Sequence, residues 1–189
     1  MNSSIYIAIA SLALIGCESS DILVDHNFNE TELKIIRHVV DEWYEATGSD
    51  DALVFLHEGY TFNNEIFEED DWPGMVDGNA TLQKISVNDP GYEYMTTEVF
   101  DTEIAGAAME GRVVIAVQES YTNADGTIDG AWFHTLLLHE YGHFFGLMHG
   151  DGAIMVTGRG VLPCIDQESL DNFCKIHQTC LNPKPTCEE

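Results

Sequence analysis

The run His139-Glu140-Tyr141-Gly142-His143-Phe144-Phe145-Gly146-Leu147-Met148-His149 constrains this chain more than any other stretch. Residues four apart on an α-helix stand one above the other, so His139 and His143 present two imidazoles on one face. Glu140 sits beside the first of them. H-E-x-x-H on a helix is the arrangement in which two neutral nitrogens hold zinc and a carboxylate serves as general base. The apolar run from Ala131 to Leu138 suits a helix buried on most sides, and Gly146 can take the positive φ that ends it. Three residues later, His149 is brought back by that turn as a third ligand. Structural histidines on a helix would account for five residues; they do not account for the glycine and the third histidine as well.

The whole motif resembles the zinc-binding consensus of the metzincin clan of metallopeptidases, H-E-x-x-H-x-x-G-x-x-H. The resemblance implies one catalytic Zn2+ held by His139, His143 and His149, with Glu140 as the catalytic base. It implies a zinc-dependent endopeptidase, in which Glu140 assists attack of zinc-bound water on a peptide bond and passes the proton to the leaving amine. Met155, in D-G-A-I-M, takes the place of the methionine that lies in a turn beneath the metal, a packing role. Two other functional classes stay open. One is a metallohydrolase acting on a non-protein amide such as a cell-wall crosslink; the other is a zinc-bearing, peptide-binding lipoprotein with little activity.

The fold implied is α+β: a small metzincin-like domain with a mixed, twisted sheet, a backing helix, the zinc-binding helix, a Met-turn and a C-terminal helix. A protein or peptide substrate would lie extended in the cleft along an antiparallel edge strand, and the chain is expected to be monomeric. Some family features are missing. Thr157 stands where astacin-like and serralysin-like members carry a tyrosine, and Gly150 after the third histidine matches no usual subfamily marker. No P-R-C-G cysteine switch precedes the domain, so a separate inhibitory propeptide is not expected.

Thirty-three acidic residues against seven Lys plus Arg, a formal charge of −26, argue against nucleic acid as a partner, because phosphates would be repelled. The length and a 44% apolar share suit one domain with a true core.

Residues 5–16, IYIAIASLALIG, are of signal-peptide length and short for a membrane span. L-I-G-C at 14–17 resembles the lipobox of bacterial lipoproteins, which implies cleavage before Cys17 and lipidation of that residue. The n-region departs from the pattern in having no Lys or Arg. The organisation expected is a signal peptide at 1–16, a lipid-anchored tether at 17–28 and a peptidase domain at 29–189. The protein would be exported to the cell envelope as an outer-membrane lipoprotein, touching the membrane through the anchor only; ordinary secretion is the alternative. With Cys17 acylated, Cys164, Cys174, Cys180 and Cys187 form an even set, open to two disulfides in any of three connectivities.

Residues 18–28 read as a linker or a first extended segment. Asn29-x-x-Glu32 suits a capping box opening a helix to about Thr47, with Leu33, Ile36, Val40 and Trp43 at helical spacing. Strands are expected at 52–57 (buried), 82–87, 92–100 and 112–120, the last the strongest. The segment 123–130 reads as a tight turn, with Asp129 capping the zinc helix. An EF-hand register fails there, since Tyr121 and Trp132 would fall at ligand positions. Metzincins often carry structural calcium, so Ca2+ stays open without assigned ligands. Asp166 caps a final helix facing inward through Leu170, Phe173 and Ile176 or His177. His26, His38, His57, His134 and His177 read as structural or surface histidines.

Overall fold

In the computed structural model, residues 20–62, 76–99, 103–156 and 162–187 are described. The signal-like segment 5–16, Cys17 and Thr157 lie outside them.

The chain opens with β1 (Ser20–Asp25), followed by helix α1 (Glu30–Thr47) and strands β2 (Val54–Tyr60) and β3 (Ala80–Ile85). Helix α2 (Pro90–Tyr94) leads to β4 (Gly106–Met109), β5 (Val113–Val117) and the short α3 (Gln118–Tyr121); α4 (Gly130–Phe144) and α5 (Gln167–His177) complete the fold. The sheet order is β2-β1-β3-β5-β4. Every pair is parallel except β4–β5, so the sheet is mixed and its antiparallel strand lies on an edge. Ser20–Asp25 is thus the extended segment of the two readings for 18–28, and the folded unit reaches back before residue 29.

Strand residues alternate between the two faces. In β5, Val114 and Ala116 join the core beneath α1 and α4, while Val113, Ile115 and Val117 pack with Ile85, Met95 and Ala107 on the other face. All five β5 residues are buried, as a continuous apolar run suits. Against the helical face, Trp43 of α1 donates its indole N–H to the Leu138 carbonyl of α4 (3.2 Å). Its ring also meets Phe145 and Phe173. This tryptophan ties three helical segments together at the centre of the core.

The capping box forms as expected. Asn29 Oδ1 accepts from the N–H groups of Thr31 and Glu32, and Glu32 Oε2 accepts from Asn29 N–H. Glu32 is fully buried and does more than cap: Lys84 Nζ lies 2.8 Å from Oε1, and Tyr121 donates its hydroxyl to the same oxygen.

Three expectations need correction. The segment 52–57 is not a buried strand: β2 has only β1 beside it, and Phe55 is 50% exposed. Of the strand expected at 92–100, residues 92–99 are helical instead. Pro90 starts α2 at a helical first-turn position, and a π-helical turn continues through Met95–Val99. Thr96 and Thr97 return their hydroxyls to the carbonyls of Tyr92 and Glu93, supporting the widened turn. The strongest strand stops at Val117, where α3 begins. Strand β4 went unseen, because G-A-A-M carries almost no β propensity.

The four C-terminal cysteines pair as Cys164–Cys187 and Cys174–Cys180. Between them the tail runs back over α1, with Leu181 N–H on the Thr47 carbonyl and Lys184 N–H on that of Ala46. Gly48 (φ 57°) closes α1 there, and a side chain at that position would collide with the Leu181 carbonyl. On α5, Leu170 and Phe173 are buried, and His177 rather than Ile176 turns toward the body, donating to the Phe145 carbonyl.

Candidate metal centre

Helix α4 starts where Asp129 accepts the Trp132 N–H, and it runs buried through Phe133, Leu136, Leu137 and Leu138 to His139. It ends at the Phe145–Gly146 turn, where Gly146 has φ 89° as the sequence requires. The chain then doubles back, and His149 meets His139 and His143. Ring centroids are 4.7 Å apart for His139–His143, 5.3 Å for His139–His149 and 4.6 Å for His143–His149. One nitrogen from each ring lies within 4.8 Å of the other two.

The orientation of the rings is set from behind. His139 Nδ1 lies 2.7 Å from the Ile154 carbonyl and His143 Nδ1 lies 2.8 Å from that of Leu147. A carbonyl can only accept, so each Nδ1 carries the proton and each Nε2 keeps its lone pair for the cluster. Ile154 is itself held: its N–H donates to Asp166 Oδ2 (3.0 Å), the residue that caps α5. Burial, only partly offset by the Leu147 carbonyl, brings His143 down to about 4, and burial likewise holds His139 below the ordinary histidine value. Neutral imidazoles at neutral pH are what a metal requires.

This donor set fits zinc. Tetrahedral bonds of roughly 2.0–2.1 Å separate ligand nitrogens by about 3.3 Å. His143 Nε2 and His149 Nε2 already stand 3.0 Å apart.

Glu140 is 5% exposed, and burial pushes its carboxyl up to about 8. A cation on the neighbouring imidazoles acts in the opposite direction and favours the carboxylate. The side chain lies against β4: a β-carbon on Gly106 would come within 2.9 Å of Glu140 Oε1. The antiparallel edge strand therefore passes directly beside this carboxylate. Met155 is fully buried, with its sulfur packed under α4 where Gly142 has no β-carbon to displace it.

The segment 123–130 is a self-contained turn. Asp125 Oδ1 accepts from both the N–H and the hydroxyl of Thr127, and Gly126 N–H bonds the Asn123 carbonyl. Two clusters among the described residues could hold a metal ion, and neither includes this loop. Calcium gains no support there.

The histidines read as structural divide into two groups. His26, His57 and His177 have local partners in Asp25, Asp21 and the Phe145 carbonyl. His38 and His134 instead converge with Glu42, a juxtaposition the sequence reading missed. Its trace was present, for His38 and Glu42 are four apart on α1 and so share a face.

No family model and no curated protein matches the sequence. Among solved structures, the chain is similar to archaemetzincin from Methanopyrus kandleri, with a TM-score of 0.59 at 16% identity. The match covers 88% of this chain and 99% of that one. The chain thus has a metzincin-like α+β fold, in which a histidine cluster able to hold a metal ion sits between α4 and the turn that follows it.

Proposed function

We propose that the chain is a zinc-dependent endopeptidase. The observation that carries the reading is the convergence of His139, His143 and His149 beside a buried Glu140 that faces the antiparallel edge strand. His139, His143 and His149 would hold the zinc, which when bound would supply Lewis-acid chemistry.

The remaining work falls to the chain's own residues. Glu140 takes the proton of the attacking water and returns it to the leaving amine, a general base that becomes the general acid. Ile154 and Leu147 keep the two helical imidazoles in the ligating tautomer through their carbonyls. Strand β4, at the edge of the sheet, offers its outer backbone groups to an extended peptide, so the substrate adds as a further strand and its scissile bond lies beside Glu140. Met155, packed beneath Gly142, takes the part of the turn methionine, holding the floor of the site without a step in the chemistry. The unit acts as a monomer.

Export follows from the same picture. Two disulfides form readily in an oxidising compartment. Together with the lipobox-like L-I-G-C, they support an envelope lipoprotein anchored through Cys17, and mass spectrometry of the mature N-terminus tests this. Among the described residues no helix is long and apolar enough to cross a membrane.

Incubating the mature protein with a mixed peptide library tests the enzymatic reading. Cleavage abolished by a chelator, restored by zinc and reduced at least a thousandfold in Glu140→Gln supports it. Cleavage that survives Glu140→Gln removes the mechanism. Intact peptides alongside hydrolysis of a non-protein amide would move the substrate class to cell-wall crosslinks.

A further inference from the structure

On the side of α4 turned away from the three-histidine cluster, His134 meets His38 and Glu42 of α1. His134 and His139 are five residues apart, about 140° around the helix, so the two groups occupy separate faces. One ligand atom from each of His38, Glu42 and His134 lies within 4.8 Å of the other two. The imidazoles stack with ring centroids 5.3 Å apart, and His134 Nε2 lies 2.9 Å from Glu42 Oε2. The second carboxylate oxygen, Oε1, accepts a hydrogen bond from the Thr186 hydroxyl, which fixes the carboxylate plane. Thr186 is placed by the Cys164–Cys187 disulfide next to it and by its N–H on the Ile165 carbonyl.

The three residues line a pocket of about 520 Å3 that Asp41 and Glu45 also line. A solvated histidine–carboxylate pair needs one imidazole and one acid. Here a second imidazole joins them, an anchored hydroxyl orients the acid, and two further carboxylates line an opening large enough for an ion with its water.

We propose that His38, Glu42 and His134 form a second divalent-metal site that binds zinc or a similar first-row ion. Two neutral nitrogens and one carboxylate are a borderline-soft set suited to Zn2+ and poorly suited to calcium or magnesium, which take oxygen ligands. Binding replaces the contact between His134 Nε2 and Glu42 Oε2 with bonds from both atoms to the ion. The ion would clamp α1 to α4, the helices whose packing carries the core. The site does not depend on the peptidase reading, since none of its ligands belongs to the three-histidine cluster.

The test is zinc stoichiometry, measured by calorimetric titration of the chelator-stripped full chain with Zn2+ alone and by native mass spectrometry. The wild-type chain should take two ions. His149→Ala should take one, and that one should be lost on adding His38→Ala. His38→Ala and Glu42→Gln alone should each keep a single ion or bind the second at least tenfold more weakly. His38 is exposed, so its replacement leaves the fold intact, which a circular dichroism melt of the stripped protein verifies. Zinc binding weakened in neither His38→Ala nor Glu42→Gln overturns the proposal, as does loss of all bound zinc in His149→Ala. Inactivity toward peptides would leave the two-ion count unaltered, and a three-histidine cluster without zinc would leave one ion that is lost in His38→Ala.

Discussion

Gly106 and Glu140 lie in direct opposition across the interface between β4 and α4, and the space a side chain at residue 106 would need is filled by the glutamate. A β-carbon there would also come within 2.9 Å of the Ile115 carbonyl, on the strand that pairs with β4. The carboxylate is the softer of the two neighbours, so it is the one that moves. Gly106→Ala should therefore cut kcat by roughly 10–100-fold, the cost of misplacing a reacting group by about 1 Å. Zinc content should stay unchanged. Steady-state kinetics with metal analysis checks this; an unaltered kcat would mean that Glu140 has room to spare.

Gly142 and Met155 make a second such pair. A β-carbon on Gly142 would overlap the methionine sulfur, so Gly142→Ala should destabilise the fold by about 1–3 kcal/mol through overpacking. Met155→Ala opens a cavity and should cost about 2–5 kcal/mol alone. The added methyl partly fills that cavity, so the double variant should lose less than the sum by about 1 kcal/mol or more. Urea melts of the four proteins measure the coupling; simple additivity would place the sulfur elsewhere.

Glu32 joins α1 to the sheet through Lys84 and to α3 through Tyr121, all within the core. Glu32→Ala removes the acid and leaves the lysine, whose side chain is 10% exposed, without its counter-charge. Breaking a buried pair in this way should cost about 3–5 kcal/mol. Glu32→Ala with Lys84→Met should recover a large part of that loss. Chemical denaturation of both variants decides it.

Asp166 links the α5 cap to the metal centre, because it holds the Ile154 N–H and the Ile154 carbonyl holds His139. Burial raises its pKa, but hydrogen bonds from the Ser169 hydroxyl and from the N–H groups of Ile154, Ser169 and Ala153 outweigh burial and leave it below 3.8. A depressed folded pKa means the contribution is complete above the unfolded value and lost as pH falls through the folded one. Stability from this residue should thus be level at neutral pH and fade below about pH 4. Asp166→Asn sets an amide N–H2 against the Ile154 and Ser169 donors, so it should lose about 1 kcal/mol at pH 7 and show a shallower acid limb than wild type. Thermal melts from pH 7 to pH 2 give the comparison.

Much of the chain was legible because local rules and tertiary packing agree. Asn29, Asp129 and Asp166 cap helices where the sequence places caps, and each cap needs only its own first turn. Residues 92–99 show the opposite case. Tyr92, Tyr94 and Thr96 alternate like a strand, yet Pro90 and the back-bonding threonines commit the backbone to a helical turn. Strand β4 is set by its antiparallel pairing with β5 and by the close approach of Glu140 to Gly106, neither of which local propensity records.

The H-E-x-x-H spacing, Gly146 and His149 determined the histidine cluster outright, since helical geometry and a left-handed turn are short-range matters that eleven residues can specify. Tertiary structure alone decided which carbonyls hold the imidazoles, which strand faces Glu140, how the four cysteines pair and that His38, Glu42 and His134 meet. Those contacts join segments distant in sequence, and their partners are chosen by how the layers pack, a collective property that no single segment carries.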